Sequence, residues 1–371
     1  MTEFPDNWPK VSAALCHDWL TGMRGGERVL EILCDGFPDA DIYTLIANTS
    51  AISDTIKSHS IKTCRMQNIP GIFDSYRSFL PLMPTAVKGL HPAKVDLMVS
   101  TSHCVAKSIK THPETRHLCY CFTPMRYAWT FYEEYFGSSR AKAMVAKPLL
   151  AALRRWDKAT ASRVDRFVAI SKHVQKRITK FYERESDVVY PPVDTGRCTP
   201  SDNPGCGGFD LIVSAMVPYK RLDLAVAAYT KLGYPLKVVG VGGKSEELRR
   251  TAGNNVEFLG WQTDDDVLQL YRNCRMLIFP GEEDFGIVPL EAQACGRPVV
   301  AYGVGGALET IEKDLSGIFF QEQTPECLID AVETCAARKW NPQEIRTHAE
   351  KFDINNFVTG LADSMQKCLD T

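Results

Sequence analysis

The chain has no long apolar run. Among its 371 residues no stretch of 18 or more apolar residues occurs, so no membrane-spanning helix is expected. No apolar signal core follows Met1, whose neighbours are polar and acidic, and no secretory signal is expected. Net charge is nearly absent: 43 Lys and Arg against 45 Asp and Glu leave −2, so nothing implies a nucleic-acid partner. The glycines never take the G-x-G-x-x-G spacing of a dinucleotide site, which disfavours a nicotinamide-dependent oxidoreductase. Zinc-type spacing is missing from the 13 cysteines. Cys119 and Cys121 are the closest pair, two apart in an apolar strand, and read as core rather than as ligands. Scattered free thiols suit a reducing cytosol, so a cytoplasmic location is expected. No internal repeat or low-complexity tract is found.

What the sequence does hold is repeated alternation of short apolar runs with amphipathic segments. Val11–Cys16, Asp41–Ile46, Val95–Ser100, His117–Phe122, Arg166–Ile170 and Val188–Tyr190 predict strands in the first half. Helices are expected over Glu27–Asp35, Tyr127–Phe136, Ala141–Ser162 and Lys172–Tyr182. A Pro-, Gly- and polar-rich stretch from Pro191 to Gly205 breaks the pattern. It restarts with strands at Leu211–Met216, Leu236–Val241, Val256–Leu259, Arg275–Phe279, Pro298–Ala301 and Gly317–Phe320. Helices accompany them at Arg221–Leu232, Ser245–Thr251, Asp264–Asn273, Ile287–Ala294 and Pro325–Ala337. Such alternation gives parallel sheets covered by helices on both faces. The expected fold is therefore α/β, with two doubly wound Rossmann-like domains facing across a cleft and ligands at the carboxyl ends of the strands. The expected boundaries are 1–195 and 205–354, with a helix at about 355–371 packing back on the first domain. Charge divides with them. Residues 1–200 carry 27 Lys and Arg against 20 Asp and Glu, and residues 201–371 carry 16 against 25. A basic first half is compatible with contact at an anionic membrane surface, and equally with solvated helix faces.

The segment Pro280-Gly281-Glu282-Glu283-Asp284-Phe285-Gly286-Ile287-Val288-Pro289-Leu290-Glu291 follows a buried strand and opens a helix. Glu283 and Glu291 flank that helix start, and backbone amides lie between them. This suits an anion with hydroxyl groups on either side, as in a nucleotide sugar. Lys220 and Arg221 open a helix at another strand end, where cations oppose the helix dipole unless an anion binds. Gly242 and Gly305, in Gly240-Val241-Gly242-Gly243 and Gly303-Val304-Gly305-Gly306, allow close backbone approach. In the first half, His17-Asp18-Trp19 leads to Gly25-Gly26-Glu27, a second helix start able to take a phosphate or a plain tight turn. Arg126, Tyr127 and Trp129 follow another strand and either line an acceptor site or pack internally; His103 ends a further strand. Leu149–Arg166 is a cationic amphipathic stretch, read as a core-facing helix or one that lies on a membrane. Asp264-Asp265-Asp266 reads as the acidic first turn of a helix, and no metal is assigned to it.

Taken together, Gly25-Gly26-Glu27, Lys220 and the Glu283…Glu291 pair with Phe285-Gly286 inside it resemble the GT-B glycosyltransferases of family 4. The resemblance covers nearly the whole chain. Pro218-Tyr219-Lys220-Arg221-Leu222-Asp223-Leu224, Val189-Tyr190-Pro191-Pro192-Val193-Asp194 and His17-Asp18-Trp19-Leu20-Thr21-Gly22 are similar to bacterial members that build surface polysaccharides, many of them mannosyltransferases using GDP-mannose. The resemblance implies a retaining hexosyltransferase, with a glycan or lipid-linked sugar as acceptor and no metal or other cofactor. It implies that Glu283 contacts the transferred sugar and that Glu291 binds the donor ribose. Lys220, Arg221 and the amides of Phe285, Gly286, Ile287 and Val288 would bind the diphosphate, approached by Gly25 and Gly26, with Gly242 and Gly305 beside the donor. His17, His103, Arg126 and Tyr127 fall on the acceptor side. From the free thiols and the basic first domain, the expected location is the cytoplasm, with peripheral contact at the inner face of the membrane as its extension. Relatives often carry Arg where this chain has Ala215 and His where it has Phe122. A UDP-sugar enzyme of the same fold, a nucleotide-sugar-binding relative without turnover and a nucleotide-sugar epimerase stay open.

Overall fold

The computed structural model describes residues 3–130, 140–201 and 207–371. The chain divides into two compact units, Met1–Pro191 with Phe357–Thr371, and Pro192–Asn356. The part of the expected Tyr127–Phe136 helix beyond Thr130, and residues 202–206 of the linker, lie outside the described residues.

In the first unit the strands are β1 (Ala13–His17), β2 (Asp41–Thr44), β3 (Ile61–Thr63), β4 (Leu97–Ser102), β5 (Arg116–Cys121), β6 (Arg166–Ala169) and β7 (Ser186–Val188). They form one parallel sheet in the order β3-β2-β1-β4-β5-β6-β7. All six residues of β4 are buried, as expected of a strand covered on both faces. One face is covered by residues 64–90, whose Met66, Ile72, Tyr76, Leu80, Met83, Val87 and Leu90 share a core with Ala14, Cys16, Tyr43 and Met98. Helix Lys172–Tyr182 starts where the Ser171 hydroxyl accepts the Val174 amide at 3.0 Å. The C-terminal helix Ile354–Leu369 packs in this unit: Phe357 meets Tyr120 edge-on at 5.6 Å, and Gly360 lies against Val189.

The expected Ala141–Ser162 helix is found at Arg140–Thr160, and in the expected cationic stretch from Leu149 onward Leu149, Leu153 and Trp156 pack on the core. Leu150 and Leu153 are buried. Arg154 donates to the Ala128 carbonyl at 2.7 Å, Lys158 pairs with Glu183, and Arg166 with Asp187. At the base of this helix Lys107 is buried against Asp157 (Nζ to Oδ1 2.9 Å), whose other oxygen accepts from Trp129 Nε1 and the Tyr182 hydroxyl, both at 2.8 Å.

The second unit contains β8 (Asp210–Val213), β9 (Leu236–Val239), β10 (Val256–Gly260), β11 (Leu277–Phe279), β12 (Val299–Tyr302) and β13 (Gly317–Phe320). They are parallel, in the order β10-β9-β8-β11-β12-β13. Period-two alternation divides its core in two. Ile212, Val238, Ile278 and Val300 face helices Leu222–Leu232 and Pro325–Ala337. Leu211, Val239, Leu277, Phe279 and Val299 face helices Asp264–Asn273 and Ile287–Ala294. The three aspartates occupy the first turn of helix Asp264–Asn273; Thr263 is the cap, and Arg197 pairs with Asp264 and Asp265. Each unit is thus Rossmann-like, with a switch in strand order between β1 and β4 and between β8 and β11.

Candidate active site

At the second unit's switch point, the segment after β8 and the segment after β11 bring Lys220 and Glu283 into a direct ion pair. Both side chains are largely shielded, 16% and 21% exposed. Lys220 ends a short 3-10 turn, Pro218–Lys220, and its ammonium also lies 5.4 Å from the Tyr219 ring centre. Gly281 lets the two segments meet: a Cβ there would lie 2.8 Å from the Lys220 Cα and from the Tyr219 carbonyl oxygen. Glu283 is held from its other side by Gly305 in a parallel bridge, and its carbonyl accepts the Gly306 amide at 2.8 Å.

Helix Ile287–Ala294 begins three residues after Asp284. Gly286 enters it at φ 107, a conformation open mainly to glycine. The first turn has no side-chain cap, and Pro289 carries no N–H, so the amides of Ile287 and Val288 are its open donors. The Phe285 ring is buried against Phe352, with centroids 5.9 Å apart, so its contribution to an anion site is its backbone. Glu291 lies one turn inside, where Oε2 accepts the Tyr271 hydroxyl at 2.8 Å. Burial, and then the Glu291 charge, push the Tyr271 phenol well above its ordinary value, so it remains a donor to that carboxylate.

Arg221 and two of the glycines play parts not expected from sequence. Arg221 precedes the helix at φ 52 rather than opening it, and its guanidinium turns to Asp223 (3.2 Å) and to Gln323 Oε1 (2.8 Å). The Gln323 amide in turn donates to the Pro280 carbonyl at 3.0 Å, so Arg221 and Gln323 tether the Glu283 loop. Gly242 meets the backbone of Met216, and a Cβ on Gly305 would lie 2.6 Å from the Glu283 carbonyl oxygen. The space left by their missing side chains is taken by the protein's own backbone.

The first unit's switch point centres on Asp18, which follows β1. One carboxylate oxygen accepts the amides of His103 (2.6 Å) and Cys104 (3.0 Å), and the other those of Val105 (2.6 Å) and Ala106 (2.7 Å). His103 Nδ1 lies 3.1 Å away. Burial raises the Asp18 carboxyl above its ordinary value, opposed by these hydrogen bonds and by the coulombic effect of His17. His103 is partly exposed and meets Trp19 edge-on at 4.5 Å. His17 is buried, with Nδ1 2.7 Å from Thr101 Oγ1, and burial lowers it to about 4. Gly25 and Gly26 open helix Gly25–Gly36, and a Cβ on Gly26 would lie 3.2 Å from the Phe122 ring. Glu27 reaches back to accept the Arg24 amide at 3.2 Å, a capping interaction in a buried setting that raises its carboxyl to about 7. Arg126 opens the helical turn Arg126–Trp129. Tyr127 is a core residue beside Trp19, and Trp129 stacks on Phe181 at 4.5 Å, so both aromatics are engaged internally.

Asp18, Tyr271 and Gln323 were not singled out from sequence, because their partners lie 20 to 102 residues away. Trp261 was also missed. It follows β10 and is 73% exposed, and Val241, after the neighbouring β9, is 57% exposed. A bulky apolar residue just beyond the carboxyl end of a strand is the signal that would have found them. Among the described residues, no three His, Cys, Asp or Glu side chains gather as a metal-binding group, and no helix is long and apolar enough to cross a membrane.

Residues 209–352 match the family model of the Glycosyl transferases group 1. Similar curated proteins include an uncharacterized glycosyltransferase of Methanocaldococcus jannaschii, 25% identical over 215 residues, 56% of this chain and 60% of that protein. The D-inositol 3-phosphate glycosyltransferase of Salinispora arenicola is 30% identical over 241 residues, 54% of each chain. The chain thus spans between half and two thirds of the length of these relatives. Among solved structures, the sucrose-phosphate synthase of Thermosynechococcus elongatus aligns with a TM-score of 0.72 at 16% identity, over 97% of this chain and 99% of that one. HepE of Anabaena, solved in complex with UDP, aligns with a TM-score of 0.68 at 16% identity, over 95% and 100%. The lipopolysaccharide outer core galactosyltransferase WaaB aligns with a TM-score of 0.67 at 16% identity, over 96% and 99%. The chain has the two-domain GT-B fold of these solved structures, and within its second unit residues 209–352 match the glycosyl transferases group 1.

Proposed function

We propose that the protein is a retaining glycosyltransferase that moves a hexose from a nucleoside-diphosphate sugar to a glycan or lipid-linked acceptor. The observation that carries this reading is the Lys220–Glu283 pair at a strand switch point, beside a helix start without a side-chain cap. Cleavage of the bond between sugar and diphosphate builds negative charge on the departing phosphate oxygen. The Lys220 ammonium and the Ile287 and Val288 amides are fixed donors for that charge, so they stabilise the transition state more than the bound donor. In the same step the departing oxygen takes the acceptor hydroxyl's proton on the face it leaves, and the new glycosidic bond forms there. Glu283 accepts hydrogen bonds from the hexose hydroxyls once Lys220 turns to the diphosphate. Glu291, already oriented by Tyr271, takes the ribose hydroxyls. Trp261 and Val241 offer the apolar surface for the base. No metal is invoked for the diphosphate.

Mannose from GDP-mannose is the donor we assign, on the motifs flanking Lys220 and Tyr190. A UDP-hexose is the second reading, favoured by the fold shared with HepE, whose structures hold UDP and UDP-glucose. Incubation with GDP-mannose, UDP-glucose and UDP-galactose, read by nucleoside diphosphate release with and without glycan acceptors, decides between them. Glu291→Ala is expected to raise the donor KM, and Glu283→Ala to lower kcat more than it weakens binding. Wild-type kinetics in both variants would remove this site from the reaction.

A further inference from the structure

Two polar links join the segment after β8 to the segment after β11. One is the Lys220–Glu283 ion pair. The other runs through Gln323, on the segment that follows β13. Arg221 Nη1 donates to Gln323 Oε1 at 2.8 Å, and Gln323 Nε2 donates to the Pro280 carbonyl at 3.0 Å. A guanidinium only donates and a carbonyl only accepts, so both ends of the amide are matched. A carboxylate at 323 would satisfy Arg221 but set an oxygen against the Pro280 carbonyl. Gln323 itself stands between two fixed elements. β13 pairs with β12 as far as Phe320, and Thr324 caps helix Pro325–Ala337 by accepting the Cys327 amide at 3.3 Å. Arg221 takes φ 52, a conformation that a residue with a Cβ disfavours, so what arginine brings to this position is its side chain.

The two links fare differently during the reaction. On the glycosyl-transfer reading, on which this inference rests, Lys220 leaves Glu283 for the diphosphate, so the direct link opens as the donor binds. The Gly281 contact still keeps the two main chains close, but packing lacks the directional demand of a hydrogen bond. The link through Gln323 uses no group that the donor engages, because the Arg221 guanidinium is held by Asp223 and Gln323. We propose that Gln323 is a positioning residue for sugar transfer, holding Glu283 in register with Lys220 once their ion pair has opened.

The test measures nucleoside diphosphate release from the donors named above, with kcat and donor KM determined separately. Gln323→Met removes both hydrogen bonds, and Gln323→Glu keeps the contact with Arg221 but not that with Pro280. Each should lower kcat by about tenfold to a hundredfold and leave the donor KM within about twofold, because Glu291 and the helix-start amides are untouched. In a Glu283→Ala background, Gln323→Met should lower kcat less than about threefold, since the group it positions is gone. Glu322→Gln, at an exposed position of the same segment, should behave as wild type. Melting temperatures serve as the folding control, and calorimetric titration with GDP and UDP reads the donor site without turnover. A wild-type chain that binds neither nucleoside diphosphate, or releases none from any donor, would overturn the transfer reading and this inference with it. Normal wild-type turnover with unchanged kcat in Gln323→Glu would overturn the role of Gln323 alone. So would a loss in Gln323→Met of the same size with and without Glu283, which marks a general structural effect.

Discussion

Glu27→Gln isolates one buried acid. Glu27 is 5% exposed, and desolvation raises its carboxyl from 4.5 to about 7, against the pull of the Arg24 charge and amide. The folded value lies above the ordinary one, so folding favours the protonated form. Its stabilising contribution is complete below about pH 4.5 and is lost as pH rises through about 7. The interval corresponds to about 3 kcal/mol. Glutamine keeps an acceptor for the Arg24 amide, as the capping box allows, and removes the titration. Two histidines work in the opposite direction. His17 and His117 are both lowered by burial to about 4, so their contributions are complete above about pH 6.5 and are lost as pH falls through about 4. Comparing the variant with the wild type cancels the histidines. Urea unfolding at about pH 4.5 and about pH 8 should show the variant gaining about 3 kcal/mol relative to wild type between the two. A difference that stays constant across this range would refute a buried, titrating Glu27.

Three further outcomes are expected. Lys107→Met should cost about 3–5 kcal/mol in the same unfolding assay, because it leaves Asp157 charged and buried; adding Asp157→Leu should recover part of that loss. Trp261→Ala should raise the donor KM about tenfold with little change in kcat, whereas a fall in kcat alone would place Trp261 away from the base. Gly305→Ala, at φ 71 and against the Glu283 carbonyl, should lower kcat/KM far more than thermal stability. Gly243→Ala, with nothing within 4 Å of its added Cβ, should stay within about 0.5 kcal/mol of wild type.

The fold was legible where local chemistry and pattern agreed. Helices Lys172–Tyr182 and Asp264–Asn273 begin at the expected residues because Ser171 and Thr263 cap them. The stretch between β2 and β4 was not legible. Its buried stripe from Ile72 to Leu90 has helical spacing, but Pro81 and Pro84 break it into short turns. β3 is an edge strand of three residues whose Lys62 and Thr63 are exposed, so no apolar run marks it. Helix Pro342–Ala349 was missed although Asn341 caps it and proline occupies its first position, both readable signals. Around the candidate site, the helix start after Gly286 was visible because strand, glycine and apolar run are contiguous. The Lys220–Glu283 pair spans 63 positions, and the Arg221–Gln323–Pro280 tether joins three segments. Sequence order carries no trace of such pairings.

The glycine contacts at the second unit's strand ends bear on how such a protein diversifies. Gly240 and Gly242 rest on the backbone of Ser214 and Met216, Gly281 on that of Lys220, and Gly305 and Gly306 on the segment from Glu283 to Phe285. These loops are therefore locked to one another through main chain, and a length change in one would have to be accommodated by the next. New specificity cannot readily come from remodelling them one at a time. The inexpensive variables are side chains that project from the locked frame without supporting it: Trp261, Val241 and Leu308, the large apolar side chains that this unit leaves exposed among its described residues. Exchanging those three would retune what the rim accepts while leaving the machinery of charge at Lys220 undisturbed.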